Sequence, residues 1–268
     1  MKKVLLFLLF NLPFVLLQHQ AYAAVFEGIV KPVSELELSF AIDGVISKIL
    51  VKEGDLVKKG DLLIKLDDTL QKLEVERRKQ IYQDQAEMEA NKKNLVILKS
   101  LLDSNRTLYE KTASVSYDEL RNIEMQYHTL LGKVNLNEEK KKQEQIEYEI
   151  SKEMLSRYII TAPMDGMVTS IKREESEWVK TGETMLILVD TSVCHVEFNI
   201  DEKYARKMIK GRMVSLRVRE GDSMTAKKGK ILFVSPVADK ASALVKVKVE
   251  FENRTGSVIP GVLANIYF

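Results

Sequence analysis

Residues 43–68 and 165–190 of this chain are two copies of one pattern. DGVISKILVKEGDLVKKGDLLIKLDD and DGMVTSIKREESEWVKTGETMLILVD align without a gap at a shift of 122 residues. The identities are Asp43/Asp165, Gly44/Gly166, Ile49/Ile171, Glu53/Glu175, Val57/Val179, Lys58/Lys180, Gly60/Gly182, Leu66/Leu188 and Asp68/Asp190. Each copy reads as strand, turn, strand, turn, strand. Asp43-Gly44 and Asp165-Gly166 are tight-turn dipeptides in which glycine can take positive φ, and Gly60 and Gly182 mark a second turn. A unit this short cannot bury a face by itself. Two copies packed face to face can do so as a small sandwich, which fixes how the rest of the chain must be arranged.

What separates the copies is of another kind. Residues 69–157 contain no proline and one glycine, Gly132, with charges of both signs in near balance. That composition predicts long solvated helix. Leu120, Ile123, Tyr127, Leu130, Val134, Asn137, Lys141, Glu144, Tyr148, Ser151 and Leu155 follow spacings of three and four. Ile81, Asp84, Met88, Asn91, Leu95, Leu98 and Leu102 keep the same phase. The heptads thus carry a polar stretch in each arm. A reversal at KTASVS (111–116) sets these stretches opposite each other, with Lys141 across from about Asp84. The expectation is an antiparallel helical hairpin whose second arm is capped by Ser116, with Glu119 three residues on completing a capping box. At 1.5 Å per residue each arm spans roughly 60 Å and must project from any small domain.

The flanks hold nearly all the remaining Gly and Pro, with alternating runs such as VSELELSF (33–40), VISKILV (45–51) and LVKVKVEF (244–251) that predict half-buried strands. In the final zone VCHVEFNI reads as a strand and DEKYARKMIKG as a short helix, capped by Asp201 and ended by Gly211. The chain opens with Lys2 and Lys3, an apolar run from Val4 to Leu17, and Ala21-Tyr22-Ala23. This is the pattern of a cleaved secretory signal peptide, residues 1–23. A retained anchor is the weaker reading, because a spanning helix needs roughly 20 apolar residues. The only cysteine, Cys194, is far from the cleavage position, so no lipid anchor is expected.

Composition excludes more than it names. Of 41 Lys+Arg against 39 Asp+Glu, two lysines belong to the leader, which leaves 39 of each and a formally neutral mature chain. Nucleic acid is not an expected partner. One cysteine excludes an intrachain disulfide framework and any cysteine-cluster zinc site, and three histidines leave little for triads or metals. Cys194 beside His195 reads as a core thiol next to an exposed imidazole. Met164/Met167 and Met208/Met213 read as packing residues, and Trp178, at the place of Leu56 in the other copy, as sandwich core. No catalytic residue, cofactor or metal ligand is assigned.

The order of these parts resembles a known family. EGIVKPVSELELSFAIDGVISKILVKEGDLVKKGDLLIKLDD (27–68), YIITAPMDGMV (158–168) and VSPVADKASALVKVKVEFENRTGSVIPGVLANI (234–266) are similar to the periplasmic adaptor proteins. These are the HlyD-like membrane fusion proteins of tripartite efflux and secretion pumps. The resemblance implies an α+β, multi-domain fold: a β-sandwich lipoyl/biotinyl-like domain in two halves (35–68 and 158–190), split by an antiparallel α-helical coiled-coil hairpin (69–157), plus a β-barrel domain (24–34 and 191–268). The turn on which a true carrier presents its modified lysine is replaced by the hairpin, so Lys65 and Lys72 are not expected to carry biotin or lipoate. The membrane-proximal domain found in many relatives is expected to be absent or reduced.

What the resemblance implies for function is a non-enzymatic periplasmic adaptor between an inner-membrane transporter and an outer-membrane channel. It would act as a homo-oligomer (trimer or hexamer), with a proton-driven resistance-nodulation-division transporter favoured over an ATP-driven one. In this family the hairpin tip meets the channel through an Arg, a Leu four residues on and a Ser seven later. Arg106, Leu108 and Ser116 supply these residue types at spacings of two and eight, out of register with that motif. The plain alternative for the tip is a simple turn with a capping serine. An exported coiled-coil scaffold unrelated to transport is the alternative for the whole chain.

Overall fold

The computed structural model describes residues 25–267. The leader reading, residues 1–23, lies outside the described residues. The chain divides into two compact units, residues 34–190 and a second made from the segments up to Val33 and from Thr191 on.

In the first unit the repeat forms β2 (Gly44–Ile49), β3 (Leu56–Val57) and β4 (Leu62–Leu66), then β6 (Gly166–Ile171), β7 (Trp178–Val179) and β8 (Thr184–Asp201). The short β5 (Ile159–Thr161) precedes the second copy. The copies do not stack as two self-contained layers, because strands are exchanged between them. β3 pairs with β6 and β7 with β2, so each two-residue strand finds its ladder in the other copy. Two-residue strands have too few bonds to stand at the edge of their own hairpin. Within each copy β2 pairs with β4 and β6 with β8, while β5, from the far side of the helical insertion, adds a further pairing to β4.

Backbone bonds between the copies come in repeat-related pairs. Ile46 N donates to Glu177 O (2.9 Å) and Val168 N to Asp55 O (3.0 Å). Gly54 N donates to Val168 O (2.8 Å) and Ser176 N to Ile46 O (2.9 Å). Side chains repeat the reciprocity. Glu175 accepts from Ile49 N (2.9 Å), and Glu53 accepts from Ile171 N (2.8 Å). Asp43 accepts from Thr181 N (2.6 Å), and Asp165 from Lys59 N (2.8 Å). The bond from the Thr181 backbone, with a second from its hydroxyl, holds the Asp43 carboxyl below the usual carboxylate range.

The core between the copies is symmetric in the same way. Ile46 and Val168, Leu63 and Met185, Ile64 and Leu186, Leu66 and Leu188 are repeat partners, and all are buried. Phe40 is paired by the repeat with Ala162, so a large side chain on one side is matched by a small one on the other. Gly60 and Gly182 take positive φ as the turn reading requires. Gly44 and Gly166 do not, and the reason for glycine there is close approach. A Cβ on Gly166 would lie 2.8 Å from Val189 O, and one on Gly44 3.0 Å from a Leu66 methyl. Trp178 is also not core: it is 62% exposed, as is its repeat partner Leu56 at 79%.

Between the copies stand α1 (Thr69–Gln83), α2 (Ala86–Thr112) and α3 (Tyr117–Ser156). Asn91 and Leu102 in α2 and Leu120, Val134 and Ser151 in α3 are buried, all on the heptad phase read above. Cross-arm ion pairs flank the seam: Lys133–Glu87 (3.1 Å), Lys92–Glu138 (2.8 Å) and Arg78–Glu147. The first arm is not continuous. Asp84 turns to extended backbone, and the Lys141 ammonium takes the Ile81 carbonyl (3.0 Å) that a continuing helix would have used. The Asp84 carboxylate then accepts from Ala86 N (3.2 Å) and opens α2. The sequence reading placed Lys141 opposite Asp84 but not the break that this cation stabilises.

The second unit uses β1 (Val25–Ser39), the distal part of β8, β9 (Met213–Glu220), β10 (Ser223–Ala238), β11 (Leu244–Glu252) and β12 (Leu263–Tyr267). The order is β1-β12-β9-β10-β11-β8, and a further β1–β8 pairing joins the last strand of that order to the first. Alternation puts Val196, Phe198 and Ile200 of β8 inward with Val245, Val247 and Val249 of β11. The short helix α4 covers only Glu202–Ala205, and Asp201 makes no side-chain capping bond. The helix expected over 201–211 therefore ends after one turn, with Gly211 in a later turn at φ +89°. On the outer face Glu197 lies between Lys31 (2.7 Å) and Lys248 (2.8 Å). Those two ammonium groups hold its carboxyl down at about 2.

Gly54 has φ +93°, and its repeat partner Ser176 has φ +69°. Gly54→Ala should therefore lower stability by about 1–2 kcal/mol, whereas Ser176→Gly should leave it unchanged or raise it by a few tenths, both read from urea midpoints. Glu197 is ionised more readily in the folded than in the unfolded chain. Its contribution is present above the unfolded value near 4.5 and is lost as pH falls from there towards about 2. Screened by solvent, it should be on the order of 1 kcal/mol. Glu197→Gln should flatten that part of an acid-unfolding profile.

Candidate partner-binding site

The residues singled out for contact lie at the far end of the hairpin, where α2 ends and α3 begins. Ala113 closes α2 in the left-handed region, φ +51°, a position usually given to glycine. Thr112 and Ser114 hydroxyls are 2.8 Å apart across the turn. Ser116 is extended, φ −72° and ψ 153°, and its hydroxyl accepts from Glu119 N at 3.2 Å. The serine is thus an N-cap, with Asp118 and Glu119 in the first turn of α3 facing the positive end of the helix dipole.

Arg106 and Leu108 sit within α2, before the turn. Arg106 is paired with Glu124 of α3 at 2.5 Å, which raises the guanidinium above its ordinary value. It closes the two arms on each other and is only half exposed. Leu108 is an exposed apolar side chain. The structure therefore distributes the three residues over three jobs: an interarm pair, an apolar knob and a helix cap.

The tip holds further residues that the spacing argument missed. Tyr109 and Tyr117, one on each arm, have ring centroids 6.2 Å apart, and both are exposed. The Arg121 guanidinium lies 5.7 Å from the Tyr117 centroid. Two exposed rings with a cation over one of them form an amphipathic contact surface of the sort enriched at protein interfaces. A signal was available in the sequence: tyrosines flanking a predicted turn on a helix pair otherwise poor in aromatics.

A second exposed apolar feature lies on the sandwich. Val45 pairs with Trp178 and Leu56 with Met167, and these two cross-strand pairs are related by the repeat. All four side chains are exposed. One copy of the unit therefore presents two equivalent apolar edges.

Nothing comparable marks a reaction centre. Cys194 is fully buried, and Asn253 Nδ2 lies 3.7 Å from its sulfur. His195 is half-buried rather than exposed. Burial first, and Lys248 next, push its imidazole below the ordinary value. Among the described residues no group of three or more His, Cys, Asp or Glu is placed to hold a metal ion. Lys65 and Lys72 both reach the buried Asp68 carboxylate, at 3.1 and 3.2 Å, at the foot of α1. No described helix is long and apolar enough to cross a membrane.

Comparison with known proteins follows the same lines. Residues 35–191 match the family model described as RND MFP, barrel-sandwich hybrid domain. An uncharacterised protein of Haemophilus influenzae is 25% identical over 231 residues, covering 85% of this chain and 52% of its own length. Multidrug resistance protein MdtA of Xenorhabdus bovienii is 23% identical over 248 residues, 89% of this chain and 56% of its own. The chain thus spans about half the length of these curated relatives. Among solved structures, MacA from Actinobacillus actinomycetemcomitans superposes with a TM-score of 0.78 at 26% identity, covering 91% of this chain and 78% of MacA.

Ser116→Ala should cost the hairpin about 1 kcal/mol through loss of its cap, seen as a lower melting temperature by circular dichroism at the helical band. Leu108→Ala, on an exposed face, should leave that temperature unchanged within experimental error.

Proposed function

The chain belongs to the RND MFP barrel-sandwich hybrid family, the non-enzymatic membrane fusion proteins, and from that premise we propose that it is a periplasmic adaptor for small-molecule efflux. The repeat-built sandwich, 35–68 with 158–190, is the lipoyl-like domain, and 69–157 is the hairpin inserted into it. The strands of 24–34 and 191–268 form the β-barrel domain, a reading supported by the β1–β8 pairing that joins the ends of its strand order. The barrel end engages an inner-membrane transporter, and the hairpin tip engages an outer-membrane channel. A transporter of the resistance-nodulation-division type is favoured by the family model matched and by the multidrug-resistance relatives.

The observation that carries this reading is the interruption itself. A sandwich that needs both copies of its repeat is opened at its midpoint to hold helices of 15, 27 and 40 residues. The last is roughly 60 Å long, and its seam buries few side chains. Such an insertion adds little to the core that carries it, and its length serves reach. Several copies act together as a trimer or hexamer. The two repeat-related apolar edges of the sandwich, Val45/Trp178 and Leu56/Met167, support this, because a head-to-tail ring needs contact surfaces at two separate places on each copy.

Cells carrying a photo-crosslinking residue at Tyr117, and separately in the barrel strands, should yield adducts with an outer-membrane channel and an inner-membrane transporter respectively. Recovery of neither class of protein would leave the scaffold alternative in its place. Trp178 is the only tryptophan of the chain, so its emission should shift to shorter wavelength as copies assemble. Trp178→Ser should reduce assembly about tenfold or more if the ring forms through this edge.

A further inference from the structure

The formal neutrality of the mature chain is the sum of two opposite charges. Without the leader, the unit built from residues 24–33 and 191–268 carries 15 Lys+Arg and 9 Asp+Glu, a net +6. The unit of residues 34–190 carries 24 and 30, a net −6. Within the positive unit the excess is local. Lys203, Arg206, Lys207, Lys210 and Arg212 fall in one ten-residue stretch that contains no acid. All five are exposed.

This stretch is α4 and the turns that follow it. Ala205 and Met208 point into the core and pin the segment down. Arg206 is engaged by Glu202, and Lys203 lies over the Tyr204 ring, 4.9 Å from its centroid. Lys207, Lys210 and Arg212 have no ion pair among the described residues. Lys230 is added from β10, where it registers with Met213. Amid these cations two large apolar side chains are turned outward, Ile209 at 65% exposure and Met213 at 57%. The turn is anchored by Gly211 N to Ile231 O (2.8 Å) and Ile231 N to Arg212 O (2.9 Å), so the patch is held and not frayed.

We propose that this face, Lys203 to Met213 with Lys230, docks on an anionic phospholipid surface. The cations would meet headgroup phosphates, and Ile209 and Met213 would enter the boundary between headgroups and acyl chains. Two observations favour lipid over an acidic protein. Ile209 and Met213 stand exposed on either side of the turn at Lys210-Gly211, where a soft surface can take them in without a matching pocket. The start of the described chain is also at this end of the unit, since Phe26 packs edge-on against Tyr204 with centroids 5.2 Å apart. In the sequence the apolar run of residues 4–17 precedes this point. The inference does not depend on which transporter or channel the chain serves.

The test uses the chain from Ala24 on, so that the leader cannot itself bind lipid. Co-sedimentation with phosphatidylcholine vesicles with and without phosphatidylglycerol should show binding only to the anionic ones, weakening as salt is raised. Each cation removed should cost about fivefold in affinity. The Lys207→Glu/Lys210→Glu variant should therefore lose well over tenfold, and Ile209→Ser several-fold with the salt dependence kept. Lys142→Glu/Lys152→Glu on α3 should bind as the parent does, and circular dichroism confirms that each variant is folded. Equal binding to neutral vesicles, binding to neither, or full binding by the Lys207/Lys210 variant would each overturn the proposal. If vesicle binding is absent and that variant instead loses its cross-links to a transporter, the patch belongs to a protein interface.

Discussion

The two copies of the repeat are held together by bonds that neither can make alone. Each supplies a glutamate and an aspartate that accept backbone N–H groups of the other: Glu53 and Glu175 at Ile171 and Ile49, Asp43 and Asp165 at Thr181 and Lys59. Each also lends a two-residue strand to the other's layer. A backbone N–H left bare at a strand end costs more than its bond gains, so the copies are committed to one mutual register. Everything else hangs on this clasp. The foot of α1 and the start of β5 are brought together only because the copies have closed, and their closure sets where a hairpin inserted between them can leave.

The second unit depends on a different economy, alternation along long strands. Inward Val, Ile and Phe of β8 and β11 make an apolar interior. The outward positions are left free to carry charge, as in the Lys31–Glu197–Lys248 group. This division lets one unit be rich in cations while its core remains apolar.

Much of the architecture could be read directly from residue types. The repeat, the absence of proline between its copies and the heptad phase are all local patterns, and the buried residues Asn91, Leu102, Leu120, Val134 and Ser151 lie where that phase puts them. Ser116 could be read as a cap because capping needs only a hydroxyl and a following glutamate. What was not legible depends on neighbours distant in sequence. The place of Trp178 opposite Leu56 in the repeat suggests sandwich core, yet its strand is lent to the other copy and its ring is exposed. The Asp-Gly dipeptides suggest turns at Gly44 and Gly166, but these positions are glycine because Leu66 and Val189 pass close by. Asp201 and Gly211 suggest a helix over the whole of 201–211, whereas only one turn of it is helical before core burial of Met208 takes over. At the tip, Arg106 and Leu108 could be nominated, but the partner of Arg106, Glu124, and the facing tyrosines needed the fold.

The interruption after Gln83 has a mechanical meaning. One arm of the hairpin is a single helix of 40 residues, and the other is two helices joined through Asp84 and Gln85. A pair of rods with one rod cut still carries tension and compression along the uncut member. It bends most easily at the cut, about an axis set by where the Lys141 ammonium bridges the gap. Axial force applied at one end would reach the other nearly undiminished, while a sideways displacement would be absorbed at a single level near the base.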